Sequence, residues 1–192
     1  MWNMNNQAIF LERDGVLIEP NGYIKNPDQI RFIPKAIEAL RRIDTNRFYI
    51  FIATDQPGIA FGKISEKAYA KLTEWLLDEL KRNGVNITKV YTCPFHPKGK
   101  GQWKKESVFR KPNIGIFKMA QQEFSLNLRR CWMIGHRTSD ILAAQRAGVP
   151  DILVLTGDGG KDEEFQVEPT FVEKDLYHAI LRIEYQEALL LK

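Results

Sequence analysis

Ala8-Ile9-Phe10-Leu11-Glu12-Arg13-Asp14-Gly15-Val16 is an apolar run that stops at two acids flanking an arginine, with a glycine behind them. Its β-prone residues predict a buried strand, and Gly15 predicts a sharp turn out of it. Glu12 and Asp14 therefore stand at the carboxyl end of a strand. In an open α/β sheet that end is where ligands bind, because the loops leaving it line a crevice. An acidic turn with no further role would give the same local pattern, so the rest of the chain must decide.

Working outward, Phe48 to Ala53 reads as a second buried strand that ends in Thr54-Asp55-Gln56-Pro57-Gly58, again polar. Ile87 to Thr92, Cys131 to Ile134 and Ile152 to Leu155 read as three more, the fourth closed by Gly135-His136-Arg137-Thr138-Ser139-Asp140. Helical spacing fills the gaps. Ile33, Ala36, Ile37, Leu40 and Ile43 recur on one face, after Pro34 at a helix start. Ser65 is placed to cap a helix to about Asn83, ended by Gly84, with Tyr69, Leu72, Leu76 and Leu80 facing inward. Asn113 to Phe124 is helical, and Ser139 is placed to cap a helix through Ala147, stopped by Gly148. Val172 to Leu191 also has helical spacing, and its Leu189-Leu190-Leu191 end is either packed on the sheet or an interaction surface. Strands alternating with helices over short links predict a parallel sheet flanked by helices, in one domain spanning 1–192. Polar groups at four positions then converge: Glu12 with Asp14, Thr54, the pair Arg110 and Lys111, and His136 with Asp140.

The chain has 192 residues, 44% of them hydrophobic and 27% charged, which is ordinary globular composition. No run approaches the roughly 18 apolar residues of a membrane span, and Met1 to Asn6 lacks the basic start and apolar core of a signal peptide. The expectation is a soluble, cytoplasmic protein. Cys93 and Cys131 are the only cysteines, so no disulfide framework is implied. The net charge of +4 is uneven: Lys98, Lys100, Lys104, Lys105, Arg110 and Lys111 face Glu106 alone, a local +5 that leaves the remainder at −1. That loop is either solvated charge or an attractor of phosphate, nucleic acid or an acidic membrane surface, with Trp103 as its one aromatic.

Five stretches, taken together and in order, resemble the haloacid dehalogenase superfamily and, within it, the group of histidinol phosphatases and heptose bisphosphate phosphatases. They are Phe-Leu-Glu-Arg-Asp-Gly-Val at 10–16, Thr-Asp-Gln-Pro-Gly-Ile-Ala at 54–60, Cys-Pro-Phe-His-Pro at 93–97, Arg-Lys-Pro at 110–112 and Ile-Gly-His-Arg-Thr-Ser-Asp at 134–140. They span roughly residues 8–160. The resemblance implies a Rossmann-like sheet without a large cap domain, and phosphoryl transfer. It assigns the nucleophile position to Glu12, the acid and base position to Asp14, and phosphate contacts to Thr54 and Lys111. Asp55 and Arg110 join the substrate side. It implies magnesium at Glu12, the Asp14 carbonyl and position 136, with Asp140 a further candidate ligand. A dianionic phosphate and an anionic nucleophile repel, so such a reaction needs a cation to align them.

The chain departs from that pattern at its centre. The family has aspartate where Glu12 stands, and one methylene moves the attacking oxygen by about an ångström, enough to cost about a hundredfold. His136 replaces a carboxylate ligand by an imidazole, which suits manganese or zinc better than magnesium. Asp55 stands where the family usually has asparagine. Of the family's zinc loop only Cys93 remains, with Phe95, Ser107 and Phe109 at the other ligand positions, so no structural zinc is expected at Cys93. Three readings follow. One is a degenerate phosphatase that binds a phosphorylated small molecule or acts through a protein partner. The second is an active phosphomonoesterase on a sugar phosphate with an altered metal. The third is a nucleic-acid-binding scaffold that uses the 98–111 loop.

Overall fold

A computed structural model describes residues 6–190. Six strands, β1 Gln7–Leu11, β2 Phe48–Asp55, β3 Lys89–Cys93, β4 Trp132–Gly135, β5 Asp151–Val154 and β6 Phe171–Glu173, form one sheet in the order β3-β2-β1-β4-β5-β6. Every pairing is parallel. Parallel sheets are covered on both faces, and the strands at the centre are apolar without interruption for that reason. In β1, Ile9 and Leu11 point to one side, where they meet Leu40, Leu76, Leu80, Ile180 and Ile183. Ala8 and Phe10 point to the other, toward Phe117, Ala143 and Ala144. The strand's period of two thus selects the layers. Helices α1 Ala36–Arg42, α3 Glu66–Arg82 and α6 Leu176–Leu189 lie on the first face, and α4 Gly115–Phe124 and α5 Thr138–Ala147 on the second. Phe10 sits 5.2 Å from the ring of Phe51 and 4.9 Å from that of Phe117. Its truncation to alanine would cost about 3–5 kcal/mol.

Several expected boundaries move. The third, fourth and fifth strands begin and end within two residues of the sequence reading. The C-terminal segment differs more. Phe171–Glu173 forms the sixth strand, on the sheet edge, and the helix begins only at Leu176, where the Asp175 side chain accepts the His178 N–H at 3.0 Å. Leu190 is exposed, and Leu191 and Met1–Asn5 lie outside the described residues. Ser65 caps α3 as expected, accepting the Ala68 N–H at 3.1 Å. Ser139 does not cap α5. It lies inside the first turn, and the neighbouring Asp140 carboxylate takes the free N–H groups. Among the described residues no helix is long and apolar enough to cross a membrane. Trp103, the candidate stacking aromatic of the basic loop, packs against Ile59, Ile64 and Tyr69.

The strand order reverses direction between β1 and β4. From β1 the chain proceeds toward β2 and β3, and from β4 toward β5 and β6, so the loops at their carboxyl ends part. The parting loops leave a crevice there.

Candidate functional site

The crevice, with a volume of about 200 Å³, is lined by Glu12, Asp14, Asp55, Arg110, Lys111, His136 and Asp140, with Thr54 beneath them. β1 delivers Glu12, whose N–H still pairs with Ile134 O at 3.0 Å. β2 delivers Thr54 and Asp55. β4 delivers His136, and the first turn of α5 delivers Asp140. Lys111 comes from the loop before α4, anchored by its own N–H on Asp55 Oδ2 at 3.2 Å.

At the floor, the three donors of the Lys111 ammonium are all engaged, by Glu12 Oε2, by Asp140 Oδ1 at 2.6 Å and by Ala53 O at 2.9 Å. Glu12 Oε1 accepts the Thr54 hydroxyl and the Arg13 N–H, the latter at 2.8 Å. Asp140 Oδ2 accepts the N–H groups of His136 and Arg137 at 3.1 and 3.0 Å. Burial pushes the Glu12 carboxyl above its ordinary value, with Lys111 drawing it back only in part. Burial acts on Asp140 in the same sense, but there Lys111, by its charge and its hydrogen bond, and the Arg137 N–H outweigh it and hold the group low. Lys111 is held high by Asp140 and Glu12 in spite of its own burial. The pair of carboxylates therefore shares one ammonium, and Asp140 is the firmly ionised member.

Around the floor, Asp14 is half-buried and its carboxylate is gripped by the Arg13 guanidinium at 2.9 Å and by Gln56 Nε2 at 2.8 Å. Arg13 is buried, faces Tyr69 at 5.5 Å and donates to both oxygens of Asp14, so it positions Asp14. Gln56, which also donates to Thr54 Oγ1 at 3.0 Å, was not singled out by the sequence. Its position two residues beyond Thr54 at the end of β2 was the available signal. Asp55 is pushed up to about 7 by burial, against the pull of Lys111, and its Oδ1 is buried with no partner. Arg110 Nη1 is likewise buried and unpartnered. Arg137 is exposed and pairs with Asp158 at 2.9 Å.

His136 decides whether a metal fits. Its ring lies against the bare backbone of Gly15 and Gly157, where an added Cβ would come within 2.7 and 2.5 Å of it. Gly15 also has φ +77°, which a glycine adopts without strain. Nδ1 accepts the Asp158 N–H at 2.9 Å. A neutral imidazole accepting at Nδ1 carries its proton on Nε2, so neither nitrogen has a lone pair to give. Asp140, the other candidate ligand, is already held by Lys111 and two main-chain N–H groups, and the Asp14 carboxylate by Arg13 and Gln56, which leaves the Asp14 carbonyl as the oxygen that the resemblance assigns. Magnesium requires near-octahedral oxygen ligands. Among the described residues no three His, Cys, Asp or Glu side chains converge as a ligand set. Position 136 therefore supplies no ligand to such an ion, and Glu12 and the Asp14 carbonyl are the oxygens that would hold it.

Cys93 is buried and its thiol is pushed up, first by burial and then by Asp55. His96 turns its Nδ1 to the Lys98 N–H at 3.0 Å. Lys98, Lys104 and Lys105 stand apart from the crevice lining.

Residues 108–179 match the model of the HAD-hydrolase-like family. The D-glycero-beta-D-manno-heptose-1,7-bisphosphate 7-phosphatase of Pasteurella multocida is 36% identical over 168 residues, covering 84% of this chain and 91% of its own. That of Vibrio cholerae is 33% identical and covers 94% and 100%. A D,D-heptose 1,7-bisphosphate phosphatase from B. bronchiseptica, solved with magnesium and phosphate, shares the fold with a TM-score of 0.83 at 23% identity, covering 94% of this chain and 99% of that one. The strand order, the crevice between β1 and β4 and these likenesses agree, and the chain belongs to the HAD-like phosphatases, in the family of the D-glycero-D-manno-heptose-1,7-bisphosphate 7-phosphatases.

Proposed function

We propose that the crevice binds the phosphate of a phosphorylated sugar and that its magnesium-dependent hydrolysis is slow. The observation that carries the reading is Arg110. A guanidinium nitrogen buried beside Lys111 with no acceptor is a donor waiting for one, and a phosphate oxygen is the acceptor that suits a guanidinium. Asp55 adds a second orphan. Below about pH 7 its carboxyl is protonated and offers a donor from the same wall. The relatives' names, heptose bisphosphate phosphatases, support a sugar as the rest of the ligand.

Slow hydrolysis follows from Glu12 and His136. The Glu12 carboxylate is held by Lys111, Thr54 and a main-chain N–H, and it reaches one methylene farther than aspartate. His136 offers no lone pair to a metal. If each deficit costs about thirtyfold, the loss of transition-state stabilisation is roughly 4 kcal/mol. Titration calorimetry with a heptose bisphosphate, followed by phosphate release with magnesium, tests both halves. Binding without appreciable turnover is expected.

One observation favours a second reading, a working phosphomonoesterase. Asp14, at the acid and base position that the resemblance implies, remains in the crevice lining with both oxygens oriented by Arg13 and Gln56. Turnover of about one per second or more in the same assay, within the ordinary range for enzymes, selects that reading.

A further inference from the structure

We propose that Tyr23 is the wall on which the sugar ring of the ligand lies, so that it selects ring-bearing phosphates over small ones. The proposal rests on the phosphate-binding reading above. Tyr23 belongs to the loop between β1 and α1, whose Leu17, Ile18 and Ile24 are buried, whereas Tyr23 is 43% exposed.

Its position is nevertheless fixed. A Cβ added to Gly58 would stand 2.6 Å from Tyr23 Cδ1 and 3.1 Å from Cε1, so the ring is seated on the bare backbone of the short helix α2, Pro57–Ala60. An aromatic held on one side by main chain, and left open on the other, offers that side to whatever enters the crevice, which Tyr23 lines. Pro20 and Pro57 extend this apolar side, while Arg110 and Glu164 supply polar groups on the same crevice.

A sugar ring has the matching halves: a C–H face for the aromatic and a rim of hydroxyls for the carboxylate and guanidinium. Inorganic phosphate reaches only the floor beside Lys111 and Arg110. An acyclic phosphate has no face to lay on the tyrosine.

The test compares inorganic phosphate, glycerol phosphate and a hexose phosphate by titration calorimetry on the unaltered protein and on Tyr23→Ala, Tyr23→Phe and Gly58→Ala. Tyr23→Ala is expected to weaken the hexose phosphate about tenfold, with the other two probes unchanged. Tyr23→Phe keeps the ring and should keep the affinity. Gly58→Ala leaves the tyrosine in place but displaces its ring, and should reproduce the selective loss. Equal losses for all three probes, or no loss for the hexose phosphate, would overturn the assignment. Failure of every probe to bind the unaltered protein would instead overturn the phosphate reading, and this inference with it.

Discussion

Replacing Asp55 by asparagine changes one atom in the crevice, and the structure gives both the sign and the size of the effect. Burial lifts this carboxyl from 3.8 to about 7. Between those values the folded protein holds a proton that the unfolded chain has released, so stability falls as pH rises through the interval and the full penalty remains above it. The whole rise corresponds to ~4 kcal/mol, and solvent at the crevice mouth trims this to about 2–4 kcal/mol. Asparagine keeps an acceptor for the Lys111 N–H and carries no charge at any pH. Urea denaturation should therefore show the variant's advantage growing from about 1–2 kcal/mol at pH 5, where the unfolded chain has already released its proton, to about 2–4 kcal/mol at pH 8. The differential between the two proteins removes the contributions of Glu12 and Asp140. Parallel stability profiles for the two proteins would refute the reasoning, because they would mean that Asp55 titrates in the folded state as it does in the unfolded chain. Phosphate affinity should be unchanged at pH 5 and about tenfold better in the variant at pH 8, where the repelling charge is gone.

Lys111→Ala leaves Glu12 and Asp140 buried without their shared cation and should cost about 3–5 kcal/mol in denaturant unfolding. In calorimetry it should weaken phosphate about tenfold or more, because the crevice keeps the charges of Glu12 and Asp140 and loses the ammonium that offsets them. Changing Lys104 and Lys105 together to alanine should leave phosphate affinity within about twofold, since neither lines the crevice. The double change Glu12→Asp with His136→Asp should bring back magnesium-dependent phosphate release that neither single change restores, groups acting as a unit being strongly non-additive. An inert but folded double variant would move suspicion to Asp55.

Much of the sheet was readable because its signal is redundant. Apolar runs of strand length, each closed by polar residues, alternate with helical spacing, and every such unit must be buried on both faces. The edge strand β6 was missed since Phe171–Glu173 is short and only half-buried, leaving no apolar run to mark it. Glu12, Asp14, Thr54, Lys111, His136 and Asp140 were gathered correctly into one crevice, because their places at strand ends and in the loop before α4 can be counted along the chain. Their partners could not be counted. Arg13 holds Asp14 through a side-chain rotamer, and the Asp158 N–H takes the His136 lone pair from 22 residues away in an irregular loop. Periodicity carries no information about either contact. Tyr23 and Gly58 meet for the same kind of reason, across a loop whose path is set by tertiary packing.

The parallel order of the strands also governs when the crevice comes into being during folding. No hairpin can join parallel neighbours, so each pairing waits for a crossover, and the contacts of the floor link residues 42 and 99 positions apart in sequence. A collapsed chain with helices formed but β1, β2 and β4 out of register has no crevice in which Arg110 stands beside Lys111, and so nothing for an anion to grip. Phosphate thus discriminates the completed fold from everything before it. At a hundred times its dissociation constant it should add about 2.7 kcal/mol to the native state. It should slow unfolding and leave the early steps of refolding at their own pace, the kinetic signature of a site assembled last.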